Sequence, residues 1–304
     1  MPTVPTSTRV RGTDLSKFQL DPDFAALTRD ESLVFGLIKS TEGTGYRDPE
    51  WERNLSSAPP AFEYAGCYHI LRGTSDGASQ ADSAAREWTR LAKRCAEVRT
   101  KVLPLGLDFE IADAREPAWL VDNAIRFRAR IEQLTGLKPL VYSYPNFLRV
   151  QCGDAAPVEL AECPQWLAFY AGKKWSDMAA GFDPVVELRR RGILPRLWDR
   201  AGWAIYQYDG DKGEFYRGTD YDFNVAVSRD VLDAMCDENR APTLPAPLDS
   251  TDPTSPGTPT SKSYERLHAV REPIADLSST SPATPLRAGE GEHTPAHLKA
   301  EDDL

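Results

Sequence analysis

Residues 103–113 read LPLGLDFEIAD, an apolar run that ends by placing two carboxylates, Asp108 and Glu110, one residue apart. The apolar residues predict a buried strand over 103–110. Alternate side chains of a strand point to the same side, so we expect both acids to face one way, with alpha carbons about 6.6 Å apart. The two acids can therefore act as a pair.

Similar runs recur on both sides of this strand and alternate with helical patterns. Apolar residues at helical spacing predict helices over 79–98 and 118–134. Strands that alternate with helices indicate a mainly parallel sheet, and eight strands in about 230 residues predict an irregular, TIM-like α/β barrel. The strands are predicted at 9–14, 33–39, 66–71, 103–110, 139–144, 166–170, 203–208 and 219–223.

Polar residues stand at the end of each predicted strand. The carboxyl ends of parallel strands gather on one face of a barrel, and polar side chains there are candidates for chemistry. We therefore expect a rim rich in acids and tyrosines. Its members are Asp14, Lys39, Glu42, Tyr68, His69, Asp108, Glu110, Tyr142, Tyr144, Tyr170, Gln207, Asp220 and Asp222.

The acid pair suits the cleavage of a glycosidic bond. A partly buried Glu beside a charged Asp stays protonated near neutrality and can act as a general acid. Such an acid protonates the leaving oxygen, while a nearby anion stabilises the cationic sugar ring. The alternative is structural: Asp108 or Glu110 caps a helix or pairs with a basic side chain. The short motif supports both interpretations equally, and Asp14 and Asp222 at the same rim favour function.

The motifs, taken in order, resemble family 25 of the glycoside hydrolases, the Chalaropsis-type lysozymes. They are RGTDLSKFQ, FGLIKSTEG, AGCYHI, QA at residues 80–81, LGLDFE, KPLVYS, WLAFY, WAIYQY and DFN, and they cover residues 10–227. The resemblance implies an irregular α/β barrel that hydrolyses the β-1,4 bond between N-acetylmuramic acid and N-acetylglucosamine in peptidoglycan. It implies no cofactor, and leaves open a covalent intermediate or attack by the substrate's own acetamido group.

Roles for single residues follow from the same resemblance. Glu110 is expected to be the general acid, and Asp108 its partner, which orients the substrate N-acetyl group or stabilises positive charge. Asp14 and Asp222 complete the expected catalytic set. The expected substrate-binding residues are Glu42, Tyr68, Tyr142, Tyr170 and Gln207. At two places the chain departs from the general pattern, with Tyr206-Gln207-Tyr208 and Tyr68-His69-Ile70, and both keep the polar members.

Other polar and aromatic residues have simpler interpretations. Lys39 is predicted to form an internal salt bridge with Glu42 or Asp14, and His69 to be a hydrogen-bonded structural residue. Three tryptophans fall on helical patterns and are predicted to lie in the core, and three are ambiguous. The first group is Trp51, Trp88 and Trp119, and the second is Trp166, Trp198 and Trp203. A non-catalytic polysaccharide-binding or virion structural module on the same barrel is the rival function, and retention of every acid disfavours it.

Composition limits the partners. A net charge of -10 and a pI near 5.0 disfavour nucleic acid, which is bound through clustered Lys and Arg. No run approaches the ~18 apolar residues of a membrane span. Five scattered cysteines without CxxC spacing predict neither a disulfide framework nor a zinc site. A cation bound by the carboxylates of the rim is a minor alternative. The family resemblance implies peptidoglycan glycan strands as the partner, and we expect a monomer.

The ends of the chain differ from its middle. Residues 241–304 hold 10 of the 24 prolines and predict a disordered Pro/Ser/Thr-rich tail, which can serve as an address for an export or packaging machine. We expect a flexible leader over 1–8 and the barrel over 9–240. Because the start, MPTVPTSTRVRGTD, has no apolar signal-peptide core, synthesis in the cytoplasm is expected, with action at the bacterial cell wall after lysis or non-classical export. A phage endolysin is the preferred context.

Overall fold

A closed barrel of eight strands forms the centre of the structure, a computed structural model that describes residues 9–113, 116–153, 157–210, 215–216 and 219–236, the side chains of 215–216 excepted. In chain order the strands are β1 (Val10–Leu15), β2 (Leu33–Glu42), β3 (Tyr46–Arg47), β4 (Tyr64–Ile70), β5 (Lys101–Val102), β6 (Gly106–Asp108), β7 (Leu140–Ser143), β8 (Gln165–Ala168), β9 (Ile205–Asp209), β10 (Phe215–Tyr216), β11 (Thr219–Asp220) and β12 (Asp222–Ala226).

Seven strands of the barrel are parallel and one is not. The order around the barrel is β2, β1, β12, β9, β8, β7, β6 and β4, and pairing of β4 with β2 closes it. Only β12 among these eight runs antiparallel to both of its neighbours, β1 and β9. Its register places Asp222 opposite Asp14. The predicted irregular eight-stranded α/β barrel is confirmed.

Helices connect most of the strands and cover the outside of the barrel. The two long helices extend the predicted ranges by one or two residues. Asp76 caps α3 by accepting from the backbone N–H of Ser79, and Gly136, at a φ of 73°, ends α4. The helices are α1 (Phe24–Glu31), α2 (Trp51–Ser57), α3 (Gly77–Val98), α4 (Pro117–Thr135), α5 (Pro145–Cys152), α6 (Val158–Ala161), α7 (Trp175–Ala179), α8 (Pro184–Arg190), α9 (Arg196–Ala201) and α10 (Arg229–Met235). A short 3-10 helix spans Pro59–Ala61.

The core has two layers. One lies between the barrel and its helices and contains Leu27, Phe127 and Trp198. The other fills the barrel and contains Phe35. Gly12 makes room for that ring, because a Cβ there would lie 2.4 Å from it. Side chains thus fill the barrel, and its chemistry is confined to the rim.

Two predicted strands differ from the observed ones. Residues 103–110 were expected as one strand, but β5 ends before Pro104, whose nitrogen has no hydrogen to donate, and β6 spans only Gly106–Asp108. Glu110 therefore follows the strand. Residues 219–223 divide between β11, which pairs with β10 as a hairpin, and β12, which closes the barrel.

The predicted leader over 1–8 and tail over 241–304 lie outside the described residues. Among the described residues, no helix combines the length and the apolar character that a membrane span requires.

Candidate active site

Four acids meet at the carboxyl ends of the parallel strands. Asp14 lies near the end of β1, Asp108 ends β6, and Glu110 follows it by two residues. Asp222 begins β12 and reaches the same rim because this strand runs in the opposite direction. Asp14 and Asp108 are each only 5% exposed, whereas Glu110 and Asp222 are half-buried.

The backbone between Asp108 and Glu110 is held by β7. Phe109 donates its N–H to the carbonyl of Tyr142 at 2.9 Å, and its own carbonyl accepts from the hydroxyl of Ser143 at 2.7 Å. The Phe109 ring is buried and packs edge-on against Phe147, with ring centroids 5.0 Å apart. The N–H, the carbonyl and the ring of Phe109 are thus all held by neighbouring residues. A shift of either acid would therefore disturb the packing of the core.

Two side-chain amides bind the Asp14 carboxylate. Oδ2 of Asp14 accepts from Nδ2 of Asn224 at 2.7 Å and from Nε2 of Gln207 at 2.8 Å. Asn224 lies on β12 and Gln207 on β9, and both side chains are buried. Donors of this kind stabilise a buried charged carboxylate.

Aromatic side chains fix both amides. The indole Nε1–H of Trp166 donates to Oδ1 of Asn224 at 2.7 Å. Oε1 of Gln207 accepts from the hydroxyl groups of Tyr142, at 3.0 Å, and Tyr170, at 2.7 Å. Asp14 is thus at the centre of a polar network that joins β1, β7, β8, β9 and β12.

Burial raises the pKa of three acids: Asp14 on β1, Asp108 at the end of β6, and Glu110 just after it. The pKa of Glu110 rises to about 7, chiefly through burial and then through the charge of Asp14, while Lys39 opposes the change. That of Asp14 rises to about 6 through burial, against the bonds from Asn224 and Gln207. Burial and then the charge of Glu110 raise the pKa of Asp108 well above its usual range. Groups with raised proton affinity beside a more easily ionised acid suit general acid catalysis.

A charged chain borders the acids on one side. Glu42 accepts from Nζ of Lys39 at 2.8 Å and from Nη1 of Arg72 at 3.0 Å. Arg72 also pairs with Asp113 at 2.7 Å, so it joins the loops that follow β2, β4 and β6. The predicted salt bridge between Lys39 and Glu42 is confirmed.

The remaining predicted residues take varied positions. Tyr68 is buried in the barrel and packs edge-on against Trp166, with centroids 5.8 Å apart. His69 is a structural residue, as predicted: its Nδ1 lies 2.8 Å from Oγ1 of Thr41 and its Nε2 lies 3.2 Å from Oε1 of Gln80. Burial lowers the pKa of His69 to about 4.

The tryptophans divide between core and surface. Trp51 and Trp88 lie in the core, as predicted, and Trp198 lies in the outer layer. Trp119 was also predicted in the core, but it is only half-buried. It lies in the first turn of α4, near the rim, where Arg126 lies over its ring and its Nε1 donates to the carbonyl of Gly73.

Residues that the sequence did not single out also shape the site. They include Ser143 and Asn224, which stand inside the quoted motifs KPLVYS and DFN, and Arg72. Gly210, after β9, is another: a Cβ there would lie 2.7 Å from Oη of Tyr170 and 2.8 Å from Oδ1 of Asp222. The motif DFN was the available signal for Asn224, and no local pattern marks Gly210.

Similar proteins are known. Residues 13–215 match the family described as Glycosyl hydrolases family 25. Lysozyme M1 of Streptomyces globisporus is 26% identical over 175 residues, which make up 53% of this chain and 55% of that protein. The N,O-diacetylmuramidase of Chalaropsis sp is 28% identical over 151 residues, 45% of this chain and 67% of that protein. The chain thus spans between about half and two thirds of the length of these relatives.

A solved structure shares the fold. The bacterial lysozyme from Streptomyces coelicolor superposes with a TM-score of 0.58 and 22% identity, covering 75% of this chain and 96% of that chain. The barrel is therefore found in a lysozyme, although this identity speaks for the fold alone. The family match extends over more than half of the sequence and includes Asp14, Asp108 and Glu110. The chain belongs to family 25 of the glycosyl hydrolases.

Proposed function

We propose that the protein is a lysozyme, an N-acetylmuramidase that hydrolyses the β-1,4 bond between N-acetylmuramic acid and N-acetylglucosamine in peptidoglycan. The observation that carries this proposal is the position of Glu110, a half-buried acid with a pKa near 7 beside two more deeply buried aspartates. Near pH 6 the Glu110 carboxyl holds a proton that it can transfer to the leaving glycosidic oxygen.

Asp108 supports the acid as its partner. No donor among the described residues hydrogen-bonds to its buried Oδ1. A buried carboxylate oxygen without a protein donor is unfavourable unless another group binds it. The N–H of the substrate N-acetyl group is a donor of the right kind, and Asp108 would orient the sugar in this way.

The other rim residues bind the sugar or stabilise its developing positive charge. Asp14 and Asp222 place negative charge where the sugar ring becomes cationic. Tyr170 is 42% exposed although its hydroxyl bonds to Gln207, so its ring offers a surface on which a sugar can stack. Glu42, Tyr68, Tyr142 and Gln207 act from behind this surface, since each is engaged with neighbouring side chains.

Peptidoglycan glycan strands are the proposed partner, reached after lysis or non-classical export, as for the endolysins of bacteriophages. The barrel boundaries at 9 and 240 and an export or packaging role for residues 241–304 stay predictions.

The decisive experiment measures reducing-sugar release from purified peptidoglycan by the full chain. Wild type is compared with Glu110→Gln, which keeps the shape but carries no transferable proton, and with Glu52→Gln, which changes an acid on the outer surface of α2. Mass spectrometry identifies the new chain ends, and circular dichroism checks that each variant is folded.

We expect reducing N-acetylmuramic acid ends from wild type and Glu52→Gln, and a loss of at least about 100-fold in Glu110→Gln. Reducing N-acetylglucosamine ends would contradict the bond assignment. Binding without release from several wall types would favour a non-catalytic polysaccharide-binding or virion structural module instead.

A further inference from the structure

We propose that Trp166 and Asn224 are positioning residues for the acid chemistry: the indole of Trp166 fixes the side-chain amide of Asn224, and this amide holds Asp14 as a charged, immobile carboxylate beside Glu110. The inference rests on the proposed function, since it concerns how that reaction keeps its acids in the required states. It assigns a role to two residues that do not themselves donate or accept the transferred proton.

The direction of the amide is the central point. A primary amide has one acceptor end and one donor end, whereas an indole nitrogen can only donate. Trp166 therefore requires Oδ1 of Asn224 to face it, at 2.7 Å, and this turns Nδ2 towards Oδ2 of Asp14, also at 2.7 Å. With another neighbour that accepts, the same amide could turn its oxygen towards Asp14 and repel the carboxylate.

The second amide is less strictly directed. Gln207 faces the hydroxyl groups of Tyr142 and Tyr170, and a hydroxyl group can donate or accept. Its amide thus has the observed direction without being forced into it. Trp166 is the one donor-only group in this network of described side chains, and it sets the polarity of the whole arrangement.

Burial makes this polarity matter. Trp166, Asn224 and Asp14 are all at least nine-tenths buried, so bulk water cannot replace a lost donor. A hydrogen bond to a buried charged group stabilises it more than a bond between two neutral groups would. Asp14 has two such bonds from side-chain amides, and they oppose the protonation that burial alone would favour.

The charge of Asp14 then acts on its neighbours. A negative Asp14 raises the pKa of Glu110, so Asp14 in its charged form helps Glu110 to keep its proton. The remaining ionisable groups that face this pair are Lys39 from β2, Glu42 at the end of β2, Tyr68 from β4, Asp108 from β6, Tyr142 from β7, Tyr144 after β7, Tyr170 after β8 and Asp222 from β12.

The test replaces Trp166 by Phe, which keeps an aromatic ring and removes the donor. The matched control is Trp198→Phe, because Trp198 is equally buried but its Nε1 has no hydrogen-bond partner in the described structure. Peptidoglycan hydrolysis is measured for each protein as kcat/KM against pH. Asn224→Leu, which has a similar shape and removes the donor without adding a titratable group, is the second variant.

We expect the active pH range of Trp166→Phe and Asn224→Leu to narrow from both sides. With a donor lost, Asp14 protonates at higher pH, so the acidic limb moves up. With Asp14 less often charged, Glu110 loses its proton at lower pH, so the alkaline limb moves down. Each limb should move by about 0.5 pH units or more, and Trp198→Phe should keep the wild-type limbs.

A second measurement does not depend on activity. In protein labelled with carbon-13 at the aspartate carboxyl groups, NMR follows the titration of Asp14, assigned by comparison with Asp14→Asn. We expect its midpoint to rise in Trp166→Phe and to stay in Trp198→Phe. If wild type hydrolyses no peptidoglycan, the proposed function fails while this titration still decides the inference. An Asp14 midpoint unchanged in both Trp166→Phe and Asn224→Leu would overturn it.

Discussion

The hydroxyl group of Ser143 donates to the backbone carbonyl of Phe109 at 2.7 Å, one residue before Glu110. The bond ties the end of β7 to the segment that carries both acids of the pair. It crosses between neighbouring strands, so the position of Glu110 depends on a residue that never faces the cleft opening.

Replacing Ser143 by Ala should therefore lower kcat about tenfold with little change in KM, because a loosened Glu110 no longer lies at the glycosidic oxygen. Stability should fall by about 1 kcal/mol, the usual contribution of one hydrogen bond. The measurement is steady-state hydrolysis together with thermal unfolding. Thr100→Val is the control. The Thr100 hydroxyl also donates to a backbone carbonyl, that of Pro59, but Thr100 precedes β5 and so lies at the end of the barrel opposite the acids. An equal loss of kcat in Thr100→Val would remove the special role of Ser143.

The pH dependence of hydrolysis should be bell-shaped. The reaction needs a charged Asp14, whose pKa is about 6, and a protonated Glu110, whose pKa is about 7. Activity should rise as pH increases through the first value and fall through the second, and the two limbs belong to the coupled acids as a group. A profile that keeps rising to pH 9 would exclude Glu110 as the acid.

Glu42 should tune the alkaline limb. Its charge raises the pKa of Glu110, and it also neutralises Lys39, which lowers that pKa. Glu42→Gln removes a negative charge near Glu110 and leaves the positive charge of Lys39 without its partner. Both changes lower the pKa of Glu110, so the alkaline limb should move to lower pH by about 0.3–1 unit. The pH profile of kcat tests this. Glu52→Gln is matched, because Glu52 also pairs with two basic side chains, Arg47 and Arg90, on the outer surface; its profile should remain that of wild type.

Gly210→Ala should reduce activity by about tenfold or more while the barrel stays folded. The added methyl group would meet Oη of Tyr170 and Oδ1 of Asp222 within 3 Å, so both side chains must move. Displacement of this size at a catalytic site commonly lowers rates about 100-fold. Hydrolysis rates of the purified variant provide the measurement, with Gly45→Ala as control for an added methyl group, since a Cβ at Gly45 meets nothing and its φ is not positive. Wild-type activity in Gly210→Ala would show that neither side chain needs its present position.

The free energy of unfolding should also depend on the ionisation of Glu110. Its pKa is about 7 in the folded chain against 4.5 ordinarily, so the folded state binds the proton more tightly. The resulting stabilisation is complete below pH 4.5 and is lost as pH rises through 7. Glu110→Gln has no proton to lose, so its free energy of unfolding, relative to wild type, should rise by on the order of 2 kcal/mol between pH 5 and pH 8. Urea unfolding at the two values measures it, and a constant difference would mean that burial does not perturb Glu110.

Much of this arrangement is predictable from local sequence. Asp14 and Glu110 are separated by almost a hundred residues, yet each follows an apolar strand pattern, and parallel strands bring their carboxyl ends together. The motifs also predict the family correctly. What they indicate is which residues stand at strand ends, because that property depends only on neighbours in the chain.

Strand direction and hydrogen bonds between distant residues cannot be predicted from the local sequence. The alternation of residues 222–226 is compatible with either strand direction, and only closure between β9 and β1 makes β12 antiparallel. The bond from Trp166 to Asn224 joins residues 58 apart in the chain. Trp119 was predicted in the core from helical spacing, but its position on α4 turns it towards the rim, and spacing alone cannot distinguish the two ends of a helix face.

The reversed strand has a consequence for protein engineering. Seven strands of the barrel point their carboxyl ends at the cleft, whereas β12 points its amino end there and contributes Asp222 as its first residue. Loop exchanges meant to change substrate preference therefore belong after β1, β2, β4, β6, β7, β8 and β9, but before β12. Changes made after β12 would alter the opposite end of the barrel and leave the choice of substrate as it is.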